Sequence, residues 1–519
     1  MYNSNYPNYP INSIYRNTST SVPTYNNETP AVPLILETEE ELDFREKMGR
    51  KLGLASLIYA IFSTFCLYKN LTGVTMPFFG IATLIYMIYG FKQYDVKMKK
   101  TSWFYGTVLL ALTISNFLTG NITILFFNNI GIVLMLFVFL LHNVYDDSRW
   151  NFSKTTLAIC ESLFCSISSM DDFSKDMHVL NQRRSISSDN EKKRTIKYVL
   201  IGILIAIPLV IILLSLLSAA DLVFSNLADQ IFKAVFSNDL FDIENIIGIT
   251  ITFTIIFFSA YCIMRFFSKK SIKEEVTEKR NMEPVIAITV LSIVSVIYLL
   301  FSVIQIVYLF MGNGVVPGGY TYSQYAREGF FQLLAVSIIN FFMVLFINNH
   351  FKENLVLKIL MTVISLCTYI MIASSYFRIK LYIDACLLTN LRIWVLWGLT
   401  VLSLLFAAVI ISIYKHNFPL FKYSIIVVSL LYVLIGFIRP DYIIADYNLK
   451  YMNTIESSVA VQDYDYLTRL STDAAPIIAK HNEEWADEYF KNCKSFYKNR
   501  SWRQFNTSAY TAQVLSNAK

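Results

Sequence analysis

Long uncharged apolar stretches alternate with short polar loops along most of the chain. A helix needs roughly 20 apolar residues to cross a hydrocarbon core of about 30 Å. The stretches that approach this length are 52–68, 74–91, 103–118, 122–141, 198–220, 246–264, 285–311, 329–349, 359–377, 393–414 and 423–438. The pattern therefore predicts an all-α polytopic helical membrane bundle of about eleven spans. The third and last are short, so the expected count is ten to twelve.

Composition supports a membrane protein. Apolar residues make up 55% of the 519-residue chain, charged residues make up 16%, and the mean hydropathy is +0.47. Soluble domains carry about 25% charged residues, because their surfaces face water. This chain has too few charges to cover a soluble surface of its size, so we expect most of it to face lipid.

Lysine and arginine residues indicate the orientation, because cytoplasmic loops retain an excess of them. With the N-terminus inside, the inner loops hold several times as many basic residues as the outer loops. The most basic inner loops are 92–100, 183–197 and 265–280. We therefore expect a multi-pass protein of the cell membrane with a cytoplasmic N-terminus. An odd number of spans then makes the C-terminus extracytoplasmic.

The pattern divides the chain into six segments. They are a disordered cytoplasmic tail (1–36), a charged juxtamembrane helix (37–51), spans one to four (52–141), a cytoplasmic basic loop with an interfacial helix (142–197), spans five to eleven (198–438) and a small C-terminal extracytoplasmic helical domain (439–519). Within the last segment, helices are expected over 464–470, 473–498 and 502–515, with Ser471 or Asp473 as a cap. A further piece, 222–241, is expected along the outer face.

The span interiors carry neutral amides rather than charges. Asn128, Asn129, Gln305 and Asn340 lie within apolar runs that lack carboxylates. Amides at such depth usually form hydrogen bonds between helices. A proton-coupled transporter normally has an acid near mid-membrane, so that class is disfavoured. A permease or a transporter of lipids or small molecules remains the alternative, and it predicts a hydrated cavity lined by Asn128, Gln305 and Asn340.

Charged residues collect at the outer ends of the spans. This candidate outer-face cluster comprises Asp221, Arg327, Glu328, Arg378, Arg392 and Arg439. Arginine pairs bidentately with phosphate and carboxylate groups, so one hypothesis is a headgroup site. The alternative is helix-end ion pairing, with the side chains reaching to the membrane interface.

Catalytic and metal-binding motifs are absent from the sequence. There is no HExxH, GxSxG, Walker lysine or GxGxxG pattern. The seven cysteines and five histidines are scattered without ligand spacing. We therefore expect no catalytic residue, no cofactor and no metal site.

Five sequence motifs follow one another in the second part of the chain. They are LSLLSAADLVF (214–224), YAREGFFQLLAVSIIN (325–340), YIDACLLTNLR (382–392), ADYNL with YLTRLSTDAAP (445–449 and 466–476) and WRQFNTS (502–508). Their order resembles the bacterial polytopic membrane proteins of domain-of-unknown-function family 4173 and its relative, family 4153. The resemblance covers about residues 195–519. It implies a membrane fold but no mechanism, since this family has no established activity.

The resemblance also marks positions for mutation. Besides Asp221, Arg327 and Arg392, it draws attention to Asn448, Asp473 and Trp502. The chain departs from the family at 386–389, where it has Cys-Leu-Leu-Thr instead of the usual Tyr-Gly-Leu-Thr. A glycine permits backbone conformations that leucine avoids.

The sequence favours a non-enzymatic integral membrane protein that acts through its outer face, as an envelope or sensory-assembly component. The expected partners are membrane lipids and a membrane or envelope protein, and no nucleic acid. A membrane-embedded transferase is a third class, and it would need the outer arginines and an acid to converge on one pocket. The oligomeric state is left open.

Overall fold

The protein is an all-helical bundle in a computed structural model. The structure describes residues 38–147, 150, 152–186, 243–273, 280–307, 322–415, 418–452, 464–498 and 500–518, with single residues between 202 and 221. For 184–186, 243–244 and 322–330 it describes the helical backbone without the side chains. The predicted tail 1–36, the fifth span and the piece 222–241 fall largely or wholly outside the described residues.

Among the described residues, fourteen helices form the bundle and its first extension. They are α1 (Glu39–Lys47), α2 (Gly53–Leu67), α3 (Thr75–Gln93), α4 (Ser102–Leu118), α5 (Ile122–Val144), α6 (Phe152–Cys165), α7 (Met170–Ile186), α8 (Ile243–Ser268), α9 (Pro284–Gln305), α10 (Tyr322–His350), α11 (Leu355–Cys386), α12 (Asn390–Tyr414), α13 (Leu420–Ile438) and α14 (Pro440–Tyr451). A π-helical turn, Met48–Leu52, joins α1 to α2. The described residues contain no strand, although an isolated bridge pairs Met282 with Phe351.

Eight of the described helices are long and apolar enough to cross a membrane. They are α2 with α1, α5, and α8 to α13, and each coincides with a predicted span. The predicted second span is helix α3, and the third is the shorter apolar helix α4. A multi-pass membrane protein is therefore confirmed, since the helices expose large apolar side chains such as Ile58, Ile255 and Leu300 around the bundle.

The C-terminal segment continues from α14 into short helices. Residues 464–468 are helical, a 3-10 turn covers Thr472–Ala474, and α15 (Ala475–Ile478), α16 (Glu484–Tyr497) and α17 (Thr507–Ala518) follow. Ser471 caps the 3-10 turn by accepting a hydrogen bond from the Asp473 N–H, as predicted. The single helix predicted over 473–498 is wrong, because the helical pattern stops between Ile478 and Glu484.

The bundle has two hydrophobic clusters, which define two halves. The first half contains α1 to α6 and α8, with a core around Leu109, Phe139 and Phe267. The second half contains α9 to α14, with a core around Phe406 and Leu399, and it includes buried residues of the C-terminal segment. Helix α13 lies between the halves, since its Ile425 belongs to the first cluster and its Leu420 to the second.

The loops alternate between two ends of the bundle. We call the end that contacts the C-terminal segment the tail end; it carries loops 68–74, 119–121 and 387–389. The opposite end, which we call the basic end, carries the loops that contain Lys99 and Arg280. Both ends are assembled by hydrogen bonds between residues far apart in sequence.

A buried ion cluster joins three helices at the basic end. The fully buried Asp176 of α7 accepts hydrogen bonds from Arg265 of α8 at 2.7 and 3.1 Å. It also accepts from Arg45 of α1 at 3.1 Å and from the Tyr261 hydroxyl at 2.8 Å. Gly49 lies against the Asp176 carbonyl, where a Cβ would come within 2.9 Å of the oxygen. Helix α7 is thereby fixed against the bundle.

Candidate functional site at the tail end of the bundle

The turn between α11 and α12 holds a strained residue. Leu387 has φ 58° and ψ −170°, a backbone conformation that is essentially restricted to glycine. Its side chain is 1% exposed and belongs to the second hydrophobic cluster. A strained residue persists only where its surroundings hold it in place. The position is also the one at which the resembled family usually has glycine.

Arg392 and Asn448 hold this turn from both sides. The Arg392 guanidinium donates hydrogen bonds to the carbonyl oxygens of Cys386 and Leu387 and stacks on the Tyr382 ring at 4.0 Å. The Asn448 side chain accepts from the Leu388 N–H at 2.8 Å and donates to the Leu388 carbonyl at 2.9 Å. Both side chains are buried. Two of the residues singled out by the resemblance therefore stabilise one backbone turn.

Two buried carboxylates join the C-terminal segment to the loops. Asp473 accepts a hydrogen bond from the Thr119 hydroxyl at 2.5 Å and from the Gly120 N–H at 3.0 Å. Asp441 accepts from the side-chain amides of Asn121 at 2.9 Å and Asn390 at 2.7 Å. Asp473 and Asp441 are 1% and 2% exposed, so they act within the protein interior.

The electrostatic environment of Asp441 disfavours its charged form. Burial raises the pKa of its carboxyl above the ordinary value, and the nearby Asp473 raises it further. Hydrogen bonds from Ser471 and Asn121 oppose this shift in part. The net rise in pKa means that proton uptake favours the docked arrangement.

Asn506 extends the junction to the first half of the bundle. Its side-chain amide donates hydrogen bonds to the carbonyl oxygens of Thr72, Asn116 and Thr119 at 3.0–3.2 Å. Asn70 of the α2–α3 loop donates to the Arg503 carbonyl at 2.9 Å. The C-terminal segment therefore bridges the loops of both halves, and we call this set of contacts the tail clamp: Asn70, Thr119, Gly120, Asn121, Asn390, Asp441, Asn448, Asp473 and Asn506.

The residues of the predicted outer-face cluster contact different partners. Arg378 is buried and donates to the Gln305 side chain at 3.4 Å, whereas Arg392 binds the strained turn. Arg439 is half-buried and left-handed, with φ 58°, at the junction between α13 and α14. Asp221 is exposed.

The other predicted residues of the tail end have separate positions. The side chains of Arg327 and Glu328 lie outside the described residues. Trp502 is 70% exposed and packs its ring 5.9 Å from that of Phe65.

The amides of the span interiors fall into three separate networks. Asn128 donates to Asn116 at 2.8 Å, and Asn116 donates to Asn129 at 3.0 Å. Gln305 accepts from Ser374 at 2.6 Å. Asn340 donates to Thr368 at 2.9 Å and accepts from Tyr298 at 2.8 Å. These are hydrogen bonds between helices, as the sequence predicts.

Chemically, the contacts of the tail clamp are hydrogen bonds that dock the C-terminal segment onto the loops. Its two acids accept hydrogen bonds from neutral donors, and the neighbouring Arg392 binds backbone carbonyls. Within the described residues, no group of three His, Cys, Asp or Glu side chains could hold a metal ion.

A comparison with known protein families identifies residues 106–481 as a domain of unknown function, DUF4153. The chain belongs to the DUF4153 family. The matched region begins in α4, well before the motifs noted in the sequence, and ends before the motif that contains Trp502. No curated protein and no solved structure matches this DUF4153 chain. The tail clamp thus joins the matched region to residues beyond it, such as Asn506.

Sequence reasoning missed several residues of this site. Thr119 lies 354 residues before its partner Asp473, and Asn121 lies 320 residues before its partner Asp441. No local sequence pattern marks contacts over such distances. The one available signal is that Asn121 and Asp441 stand directly at the start of helices. Asp176 and Arg265 at the basic end were also missed.

Proposed function

We propose that this DUF4153 protein is a non-enzymatic integral membrane protein that acts through its tail-end face, as an envelope or sensory-assembly component. The tail clamp carries the proposal. It fixes the C-terminal segment onto loops of both halves, so these described parts of the tail end form one surface. Exposed charged residues of α16, including Glu484 and Glu488, lie on that surface.

In this proposal the tail end is extracytoplasmic and the basic end is cytoplasmic. The excess of lysine and arginine in the basic-end loops supports this orientation. We further propose eleven spans, with the fifth at 198–220, a C-terminal segment that acts as a small extracytoplasmic domain, and a closer kinship to family 4173. A reporter fused after Lys519 tests the orientation, because it should be active only outside the cytosol.

The alternative, a permease, predicts that Asn128, Gln305 and Asn340 line one hydrated cavity. Their separate hydrogen-bond networks favour a sealed bundle instead. Cysteine substitution tests the difference. With Cys160 and Cys165 replaced, cysteine at position 128 or 340 should not react with a membrane-impermeant maleimide. Rapid labelling of both positions would support the permease.

The proposed role can be tested by complementation of a deletion strain. Glu484→Lys with Glu488→Lys changes the tail-end surface without touching the tail clamp. We expect normal protein abundance and loss of complementation. Lys51→Glu with Arg50→Glu, at the exposed basic end, is a matched control for charge reversal. Full complementation by the α16 variant would contradict the proposal.

A further inference from the structure

A groove opens on the side of the bundle near the tail end. It lies between α2, α8 and the turn 501–504, and its cavity volume is about 720 Å³, within the usual range for ligand pockets. Its lower wall is apolar and contains Ile61, Phe65, Ile249 and Phe253. Ile61 and Ile249 are 58% and 43% exposed on helices long enough to span a membrane. The lower wall therefore faces hydrocarbon.

The upper rim of the groove is basic. Lys69 and Arg503 both line it, together with Tyr68, Asn245 and Gln504. Among the described residues that line the groove, none is acidic. The Lys69 ammonium donates to the Asn245 side-chain oxygen at 2.7 Å. The Arg503 guanidinium donates to the Phe65 carbonyl at 2.7 Å and lies 5.3 Å from the Phe65 ring. Both cations are thus held in place by neutral groups, and among the described residues neither forms an ion pair.

Hydrogen bonds and close backbone contacts hold the rim of the groove in place. The Gln504 side chain donates to the Lys69 carbonyl at 2.7 Å, and Asn70 donates to the Arg503 carbonyl. Gly73 lies so close to this turn that a Cβ would come within 2.0 Å of the Arg503 oxygen. The position of the two cations is therefore fixed relative to α2.

The depth of the groove matches the distance from the phosphate of a phospholipid to the upper part of its acyl chain. From Ile61 to Tyr68 a helix rises about 10 Å at 1.5 Å per residue, and from Asn245 to Phe253 it rises about 12 Å. The groove thus passes from a cationic rim to an apolar wall over the distance between a phosphate and the upper acyl chain. Trp502 lies beside the rim, against Phe65. Tryptophan is enriched at membrane interfaces, so this position is consistent with a rim at headgroup depth.

We propose that this groove binds an anionic phospholipid of the tail-end leaflet. Lys69 and Arg503 bind the phosphate, and an acyl chain lies along Ile61, Ile249 and Phe253. The site adjoins the tail clamp, with which it shares the Asn70–Arg503 hydrogen bond. The inference goes beyond the proposed function and does not depend on it.

Native mass spectrometry of the full chain with retained lipid tests this proposal. The wild type, mixed with anionic and zwitterionic phospholipids, should retain the anionic one. Lys69→Gln with Arg503→Gln should weaken its retention by about tenfold or more, through loss of charge-assisted contacts. Lys480→Gln removes an exposed tail-end charge outside the groove and should leave retention unchanged. Equal loss in that control would overturn the proposal.

A second variant keeps the cations and fills the groove. Ile249→Trp enlarges an exposed side chain, so folding should be preserved, and anionic lipid should be lost. Lys69→Arg should retain it. If inorganic phosphate alone displaces the lipid, the acyl contacts do not contribute and the lipid assignment fails. A wild type that retains no anionic phospholipid, with Ile249→Trp altering only stability, would mean that another part of the chain covers the groove.

Discussion

At the scale of single residues, Leu387 shows how side chains hold an unfavourable backbone. Its conformation costs of order 1–3 kcal/mol for a residue other than glycine. Arg392 and Asn448 fix the neighbouring peptide groups, and the buried leucine side chain contributes packing. A glycine at this position would avoid the strain, so Arg392 and Asn448 serve to hold the turn geometry.

At most positions alanine is at least as stabilising as glycine, and we expect the opposite order at Leu387. Leu387→Ala loses the buried side chain and keeps the strain, whereas Leu387→Gly loses the side chain and removes the strain. We expect the glycine variant to be more stable than the alanine variant by about 1–2 kcal/mol. Thermal unfolding in detergent measures this difference. An alanine variant as stable as the glycine variant would show that the turn is unstrained.

Asp441 gives the tail clamp a pH dependence. Because its folded-state pKa is raised, its contribution favours folding most strongly below the unfolded pKa, whose ordinary value is 3.8. That contribution is lost as pH rises through the folded-state pKa. Protease resistance of the C-terminal segment should therefore fall as pH rises over this window. Asp441→Asn should remove this part of the dependence.

Two substitutions of Asp441 distinguish the contribution of its charge to stability from that of its hydrogen bonds. In Asp441→Asn, the remaining oxygen can accept from Asn121 and the Ser471 N–H. After a flip of the Asn390 side-chain amide, its Oδ1, which has no hydrogen-bond partner among the described residues, can accept from the new amide. Asp441→Ala instead leaves one buried and two part-buried donors unpaired, at up to about 1–3 kcal/mol each. We expect the asparagine variant near wild-type stability and the alanine variant clearly below it.

At the scale of elements, helix α7 depends on the buried carboxylate of Asp176, which binds cations of α1 and α8. Asp176→Asn leaves Arg265 and Arg45 without their charged partner, and breaking a buried pair in this way costs roughly 3–5 kcal/mol. We expect α7 to detach and the thermal unfolding temperature to fall. Asp171→Asn, at an exposed acid of the same helix, should have little effect. Equal stability of the two variants would contradict the assigned role of Asp176.

The elements also show what the sequence could predict. Apolar runs located the described spans, because lipid burial depends on composition over about 20 residues. The interior amides, such as Asn340, were correctly expected to bond between helices. The tail clamp was not predicted, because its hydrogen bonds join residues such as Asn121 and Asp441 across most of the chain. The strain at Leu387 is likewise set by tertiary contacts.

At the scale of the whole molecule, the C-terminal segment ties the two halves together. Gly120 admits this contact, since a Cβ there would lie 2.0 Å from the Thr472 hydroxyl oxygen. Gly120→Ala should therefore release the segment and increase its cleavage by protease. Gly398 is a matched control, because nothing lies within 4 Å of a Cβ at that position. Gly398→Ala should leave cleavage unchanged, and unchanged cleavage in both variants would argue against the clamp.

The division into two hydrophobic clusters suggests that the chain can be expressed as two separate fragments. Helix α8 packs into the first half, and α9 begins the second, so each fragment of a chain interrupted between Ser271 and Arg280 would carry most of one cluster. Ile425 of α13, on the second fragment, would complete the first cluster when the fragments meet. Two separately translated polypeptides should then insert independently and reunite through α13 and the C-terminal segment. Coexpression with a tag on only one fragment would reveal such reassembly.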